Sequence, residues 1–206
     1  MKKQLPVVSH YRDYNVLEEQ DHWDPHTRSI VRRRLEPKRS FRFLTPEEGR
    51  RLAAIVGRLV DESREEIVQF VVEHMDRTLA DSIGESERKK GLPPARELVR
   101  SGLSALEQAT QARFGDSFPN LPLQEQIAML KEISEGRGEP EHVWQSVPQS
   151  ALFQKWLNLA VEAYYSHPYV WSEIGYGGPA YPRGYVRAEI GVLDPWEAQP
   201  TKTSKE

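Results

Sequence analysis

The sequence predicts an all-α protein, an irregular bundle of about five helices with an extended N-terminal arm and an irregular aromatic, Gly/Pro-rich C-terminal segment. Three observations predict it. Apolar residues recur at helical spacing from residue 44 to residue 165. No alternating run appears before residues 185 to 192. Short stretches rich in Gly, Pro and charge separate the helical runs.

Residues 1 to 43 are polar, carry Pro6, Pro25 and Pro37, and hold no helical period beyond a short helix around residues 27 to 35, so they read as an arm. The first bundle helix follows Leu44. Thr45 stands at its N-cap, Pro46 at the first helical position and Glu48 three residues after the cap, which is a capping box. Leu52, Ile55, Val56, Leu59 and Val60 then repeat on one face. The second helix, residues 63 to 81, turns Ile67, Phe70, Val71, His74, Met75 and Thr78 inward.

A charged loop ending in Gly91-Leu92-Pro93-Pro94 leads to the third helix, striped by Leu98, Val99, Gly102, Leu103, Leu106 and Ala109 and ended by Gly115. The fourth presents Leu123, Ile127, Leu130 and Ile133 inward. The fifth, residues 148 to 165, is apolar around much of its circumference, which places it centrally, covered on more than one side. The organisation expected is an arm at 1–43, a helical domain at 44–196 and a disordered polar tail at 197–206.

A chain of 206 residues supports one domain with a substantial core. Its net charge of -3 supplies no basic field for nucleic acid, although residues 28 to 42 are locally basic. The absence of cysteine excludes disulfides, thiolate metal sites, iron–sulfur clusters and covalent haem attachment. No window has the roughly 18 to 20 apolar residues of a membrane span, and the N-terminus lacks the apolar run of a secretory signal. The chain is expected in the cytoplasm.

Between Trp156 and Trp196 lie six of the eight tyrosines and three of the five tryptophans, interleaved with five glycines and four prolines, a mixture that interrupts any regular helix. It reads as an ordered, irregular surface. Within it, residues 175 to 180 satisfy a dinucleotide-type glycine pattern, but Pro179, Pro182 and Gly184 forbid the helix that must follow.

His22, Asp24 and His26 alternate along the arm and would suit a metal-dependent enzyme, the alternative reading of this chain; as plain arm residues they would mark a turn at Asp24-Pro25. Glu139 and His142 match the Glu-x-x-His spacing of di-iron bundles, in a loop containing Pro140. Glu62, Glu65 and Glu66 fit the positive end of a helix dipole. There is no nucleophile elbow or phosphate loop, and neighbouring Ser166 and His167 make no dyad.

The order and spacing of several segments resemble one family. Residues 44 to 61, the stretch Met75 to Leu79, residues 102 to 121, the helix ending in residues 162 to 171, and the pair Gly177-Gly178 together resemble subunit 3 of gluconate 2-dehydrogenase and related sugar dehydrogenases. The resemblance spans about 140 residues, from 44 to 185.

It implies a non-catalytic small subunit without a cofactor of its own. Such a subunit binds, stabilises or matures a FAD-dependent large subunit of the glucose–methanol–choline type, in some cases beside a cytochrome c subunit. FAD is thus expected in the partner. Many relatives carry a twin-arginine signal; here Arg32, Arg33 and Arg34 precede no apolar segment, so export alongside a partner stays open. The partner contact is expected at Tyr165, His167, Pro168, Trp171, Gly175, Tyr176, Gly177, Gly178, Pro179, Tyr181, Arg183 and Tyr185, where aromatic burial and an arginine anchor supply affinity.

Overall fold

A computed structural model describes residues 9–36, 40–85, 89–180, 183–184, 186–187, 189 and 191–201. Among them are eight α-helices and no strand: α1 Pro25–Arg33, α2 Pro46–Leu59, α3 Glu65–Ala80, α4 Ala95–Phe114, α5 Leu123–Ser134, α6 Glu141–Trp144, α7 Gln149–Tyr164 and α8 Pro168–Ile174. The five expected bundle helices correspond to α2, α3, α4, α5 and α7. The alternating run at 185 to 192 falls partly outside the described residues.

Two compact units divide the chain: Pro37–Tyr164, and a second unit made of Met1–Glu36 with Tyr165–Glu206. In the first, α7 packs against α2, α3, α4 and α5, as its all-round apolar surface requires. Trp156, at its centre, is fully buried among Leu52, Val71, Leu106, Met129 and other residues of one core. Gly102 lets α4 come close to α7, because a Cβ there would overlap the Leu152 side chain.

The capping box of α2 forms as expected: Thr45 Oγ1 accepts from Glu48 N at 3.2 Å and Glu48 Oε2 accepts from Thr45 N at 2.8 Å. The chain leading into it is held by a residue that periodicity does not single out. Asp76 of α3 is 2% exposed; its Oδ1 accepts from Phe43 N and Leu44 N, each at 2.9 Å, and its Oδ2 from Arg42 N at 2.8 Å. Three backbone donors thereby find an acceptor, two of them away from water.

Two inward faces differ from expectation. On α3, His74 and Thr78 are only half-buried, while Glu73 and Asp76 are buried. On α5, Leu123 and Ile127 are 48% and 46% exposed, and Gln126 takes the inner position. The reason is satisfied polarity: Gln126 Nε2 donates to the carbonyls of Phe118, Pro119 and Leu121 at 3.0, 3.3 and 3.2 Å, closing the 3₁₀ turn Phe118–Asn120 against the helix. A polar side chain with its partners in place outweighs the apolar pattern.

In the second unit the arm is not merely extended. Asp24 caps α1, Oδ1 accepting from His26 N at 2.9 Å and Thr27 N at 3.2 Å, with Pro25 at the first helical position. Val16, Trp23 and Val31 are buried with Trp171 in a cluster of their own, flanked by Tyr14 and Leu17. The C-terminal segment, expected to be irregular throughout, contains α8. Pro168 sits at its first position, where proline costs no hydrogen bond, and Gly175 ends it in the left-handed region at φ +72°. Trp196 and Ala198 are buried, and Thr201 N donates to His10 O at 2.7 Å; the rest of the tail expected at 197–206 lies outside the described residues beyond 201.

Candidate docking surface

The segment from Tyr165 to Arg183 is organised around two tryptophans and a glycine turn, all within the second unit. Trp171, on α8, is 4% exposed; its indole Nε1 donates to Tyr165 O at 2.6 Å, and the Tyr176 ring meets it edge-on at 5.3 Å between centroids. Arg34, just past α1, stacks its guanidinium 5.2 Å over the Trp171 ring and donates from Nη1 to Ser166 O at 2.7 Å. This pairing of a planar cation with a ring face is electrostatically favourable.

The glycine turn is covered from two sides. A Cβ at Gly175 would stand 2.6 Å from the Tyr11 ring, and one at Gly178, whose φ is +81°, would stand 2.7 Å from Trp23 Cζ2. Gly177 O accepts from Arg183 Nη2 at 2.9 Å and Trp23 Nε1 at 3.4 Å, and the Arg183 guanidinium lies 4.5 Å over the Trp196 ring. Tyr14 Oη donates to Trp196 O at 2.9 Å. Burial, reinforced by the negative charges of Glu19 and Glu197 and opposed by Arg183, pushes the Tyr14 phenol up to about 12, so it stays a donor.

Of the residues expected at the contact, His167, Pro168, Trp171 and Gly178 are buried. They shape the segment from within. Gly175, Gly177, Pro179 and Arg183 are half-buried. Tyr165 and Tyr176 are 52% and 41% exposed. Tyr181 and Tyr185 lie outside the described residues. Two exposed apolar neighbours, Tyr169 and Ile174, were not singled out by the sequence. Nor are Tyr11, Tyr14 and Trp23, whose signal is legible as large aromatics in an otherwise polar arm.

The metal reading gains nothing. The Asp24 carboxylate is engaged as a helix cap, and its hydrogen bonds, led by that to Thr27, hold it below the usual carboxylate range. His22 Nε2 lies 3.5 Å from Glu19 Oε2. Among the described residues no group of three or more His, Asp or Glu side chains is placed to hold a metal ion. The dinucleotide-like glycines follow a helix rather than open one. In the bundle, a groove of about 410 Å³ between α2 and α4 is lined by polar residues whose charges are paired: Arg51 with Glu107 at 2.9 Å, Arg100 with Glu48 at 3.2 Å and Glu47 with Arg50 at 3.0 Å.

Fold and surface together define a protein that is all-helical among the described residues, with a packed aromatic segment that follows its central helix in the chain. It belongs to a known family. The family model for gluconate 2-dehydrogenase subunit 3 matches residues 46–178, more than half of the chain. The match begins at the first residue of α2 and ends at Gly178, the glycine covered by Trp23. No curated protein and no solved structure matches the chain. Among the described residues no helix is long and apolar enough to cross a membrane.

Proposed function

We propose that this chain is a non-catalytic small subunit that binds a FAD-dependent dehydrogenase of the glucose–methanol–choline type and stabilises it or assists its maturation. The observation that carries the reading is the family match over residues 46–178. The partner holds the flavin, acts on a sugar or related alcohol, and in some assemblies hands electrons to a cytochrome c subunit. The small subunit meets it in the cytoplasm, before any export of the pair.

The exposed rings of Tyr165, Tyr169 and Tyr176, with Ile174, supply the contact. Aromatic side chains held on a rigid base lose little freedom on binding and dominate interface centres. Trp171, Arg34 and the covered glycine turn provide that base.

The test is expression of a FAD-dependent dehydrogenase of this type, encoded beside this chain, with and without it. The yield of soluble, flavin-loaded dehydrogenase rises several-fold when the small subunit is present. Equal yield and flavin content in both cases would overturn the reading.

A further inference from the structure

We propose that the arm, residues 9–34, is an obligate internal cover of the described residues of 165–201, so that the two stretches open and close as one cooperative unit although 130 residues separate them in sequence. The family match begins at residue 46, so it assigns the arm no part in the family's common region.

Three kinds of contact support it. The first is shape. Gly175 and Gly178 adopt conformations that disfavour a side chain, and the space a Cβ would fill is taken by Tyr11 and Trp23. The second is burial. Val16 and Val31 are 0% exposed and Trp23 and Trp171 4%, in a cluster drawn from both stretches, so parting the stretches would expose it to water.

The third is backbone satisfaction. Ser9 Oγ donates to Glu173 O at 2.6 Å, Val16 N to Ser172 Oγ at 3.1 Å, and Arg12 N to Thr201 Oγ1 at 3.0 Å. Separation would expose the tryptophans and release these bonds at once. Such a unit opens as a whole or not at all.

For docking, a consequence that rests on the proposed accessory role, a partner meets the outer rings rather than the glycine turn, which the chain's own arm fills.

The test is native-state hydrogen exchange on the full chain with no partner added, so its outcome is independent of whether a dehydrogenase binds. Amides of 16–31 and of 168–178 share one opening dependence on urea, and Trp23→Ala speeds exchange in both by the same factor, at least about tenfold, with α2 to α7 unchanged. Gly178→Ala, acting from the opposite side, gives the same paired loss and serves where Trp23→Ala expresses poorly. Faster exchange in the arm with wild-type protection at 168–178, or the reverse, would overturn the proposal, as would an equal loss throughout α2 to α7.

Discussion

Trp23 occupies the space that a side chain at residue 178 would need: a Cβ on Gly178 would lie 2.7 Å from Trp23 Cζ2, at a backbone φ of +81°. Gly178→Ala therefore meets two penalties at once, a left-handed backbone and a blocked Cβ. The predicted loss is about 2 to 4 kcal/mol, from roughly 1 to 2 for the backbone and a similar amount for displacing the ring. Gly84→Ala is the control, since its φ is +80° but nothing lies within 4 Å of the added carbon. Urea denaturation followed by tryptophan fluorescence should show the smaller, backbone-only loss for Gly84→Ala.

Asp76 gives a second, independent prediction, located in the bundle. Asp76→Ala strands the N–H groups of Arg42, Phe43 and Leu44, two of them in buried surroundings. A buried donor left without a partner costs about 1 to 3 kcal/mol, so a loss of at least about 2 kcal/mol is expected in urea titration. Hydrogen exchange at Phe43 and Leu44 should accelerate while the centre of α7 keeps its protection.

Glu62 predicts an acid dependence. Burial alone would raise its pKa, but hydrogen bonds from the Arg64 side chain and backbone, with its charge and the Ser63 N–H, bring it below 4.5. A carboxyl whose folded pKa is depressed stabilises the fold above its unfolded value and loses that contribution as pH falls through the folded one. The urea midpoint of the wild type should thus fall more steeply than that of Glu62→Gln between about pH 5 and about pH 3. Parallel curves would remove Glu62 from the account.

The starts of α2 and α8, the place of α7 and the inner face of α5 show what is legible in the sequence. The start of α2 was, because a capping box is local: Thr45 and Glu48 are three residues apart and the pair forms as written. The central place of α7 was, because no single face can absorb so apolar a helix. The inner face of α5 was not, since Gln126 is drawn in by three carbonyls that only the folded 3₁₀ turn brings to it. α8 is obscured because Pro168 falls among prolines and glycines that interrupt a helix, whereas at a first helical position proline is a starter. The cover of Gly178 by Trp23 was beyond reach, because nothing local in either segment names the other.

The outer rings carry the prediction for binding. Tyr165→Ala and Tyr169→Ala remove exposed rings, 52% and 41% accessible, and should change stability by less than about 0.5 kcal/mol. Together they should weaken partner binding by at least about 2 kcal/mol, roughly thirtyfold, if the rings sit at the interface centre. Isothermal titration against the purified dehydrogenase, beside thermal unfolding of the free variant, separates the two effects. A binding loss matched by a stability loss would point to misfolding instead.

The central claim is that this family member works by forming a stable complex with a flavin-dependent dehydrogenase. Size-exclusion chromatography of the co-expressed pair, with flavin absorbance and chain identity followed across the peak, tests it most directly. The account predicts one peak containing both chains and the flavin, and its loss when Tyr165 and Tyr169 are both alanine. Separate elution of the two wild-type chains would contradict it.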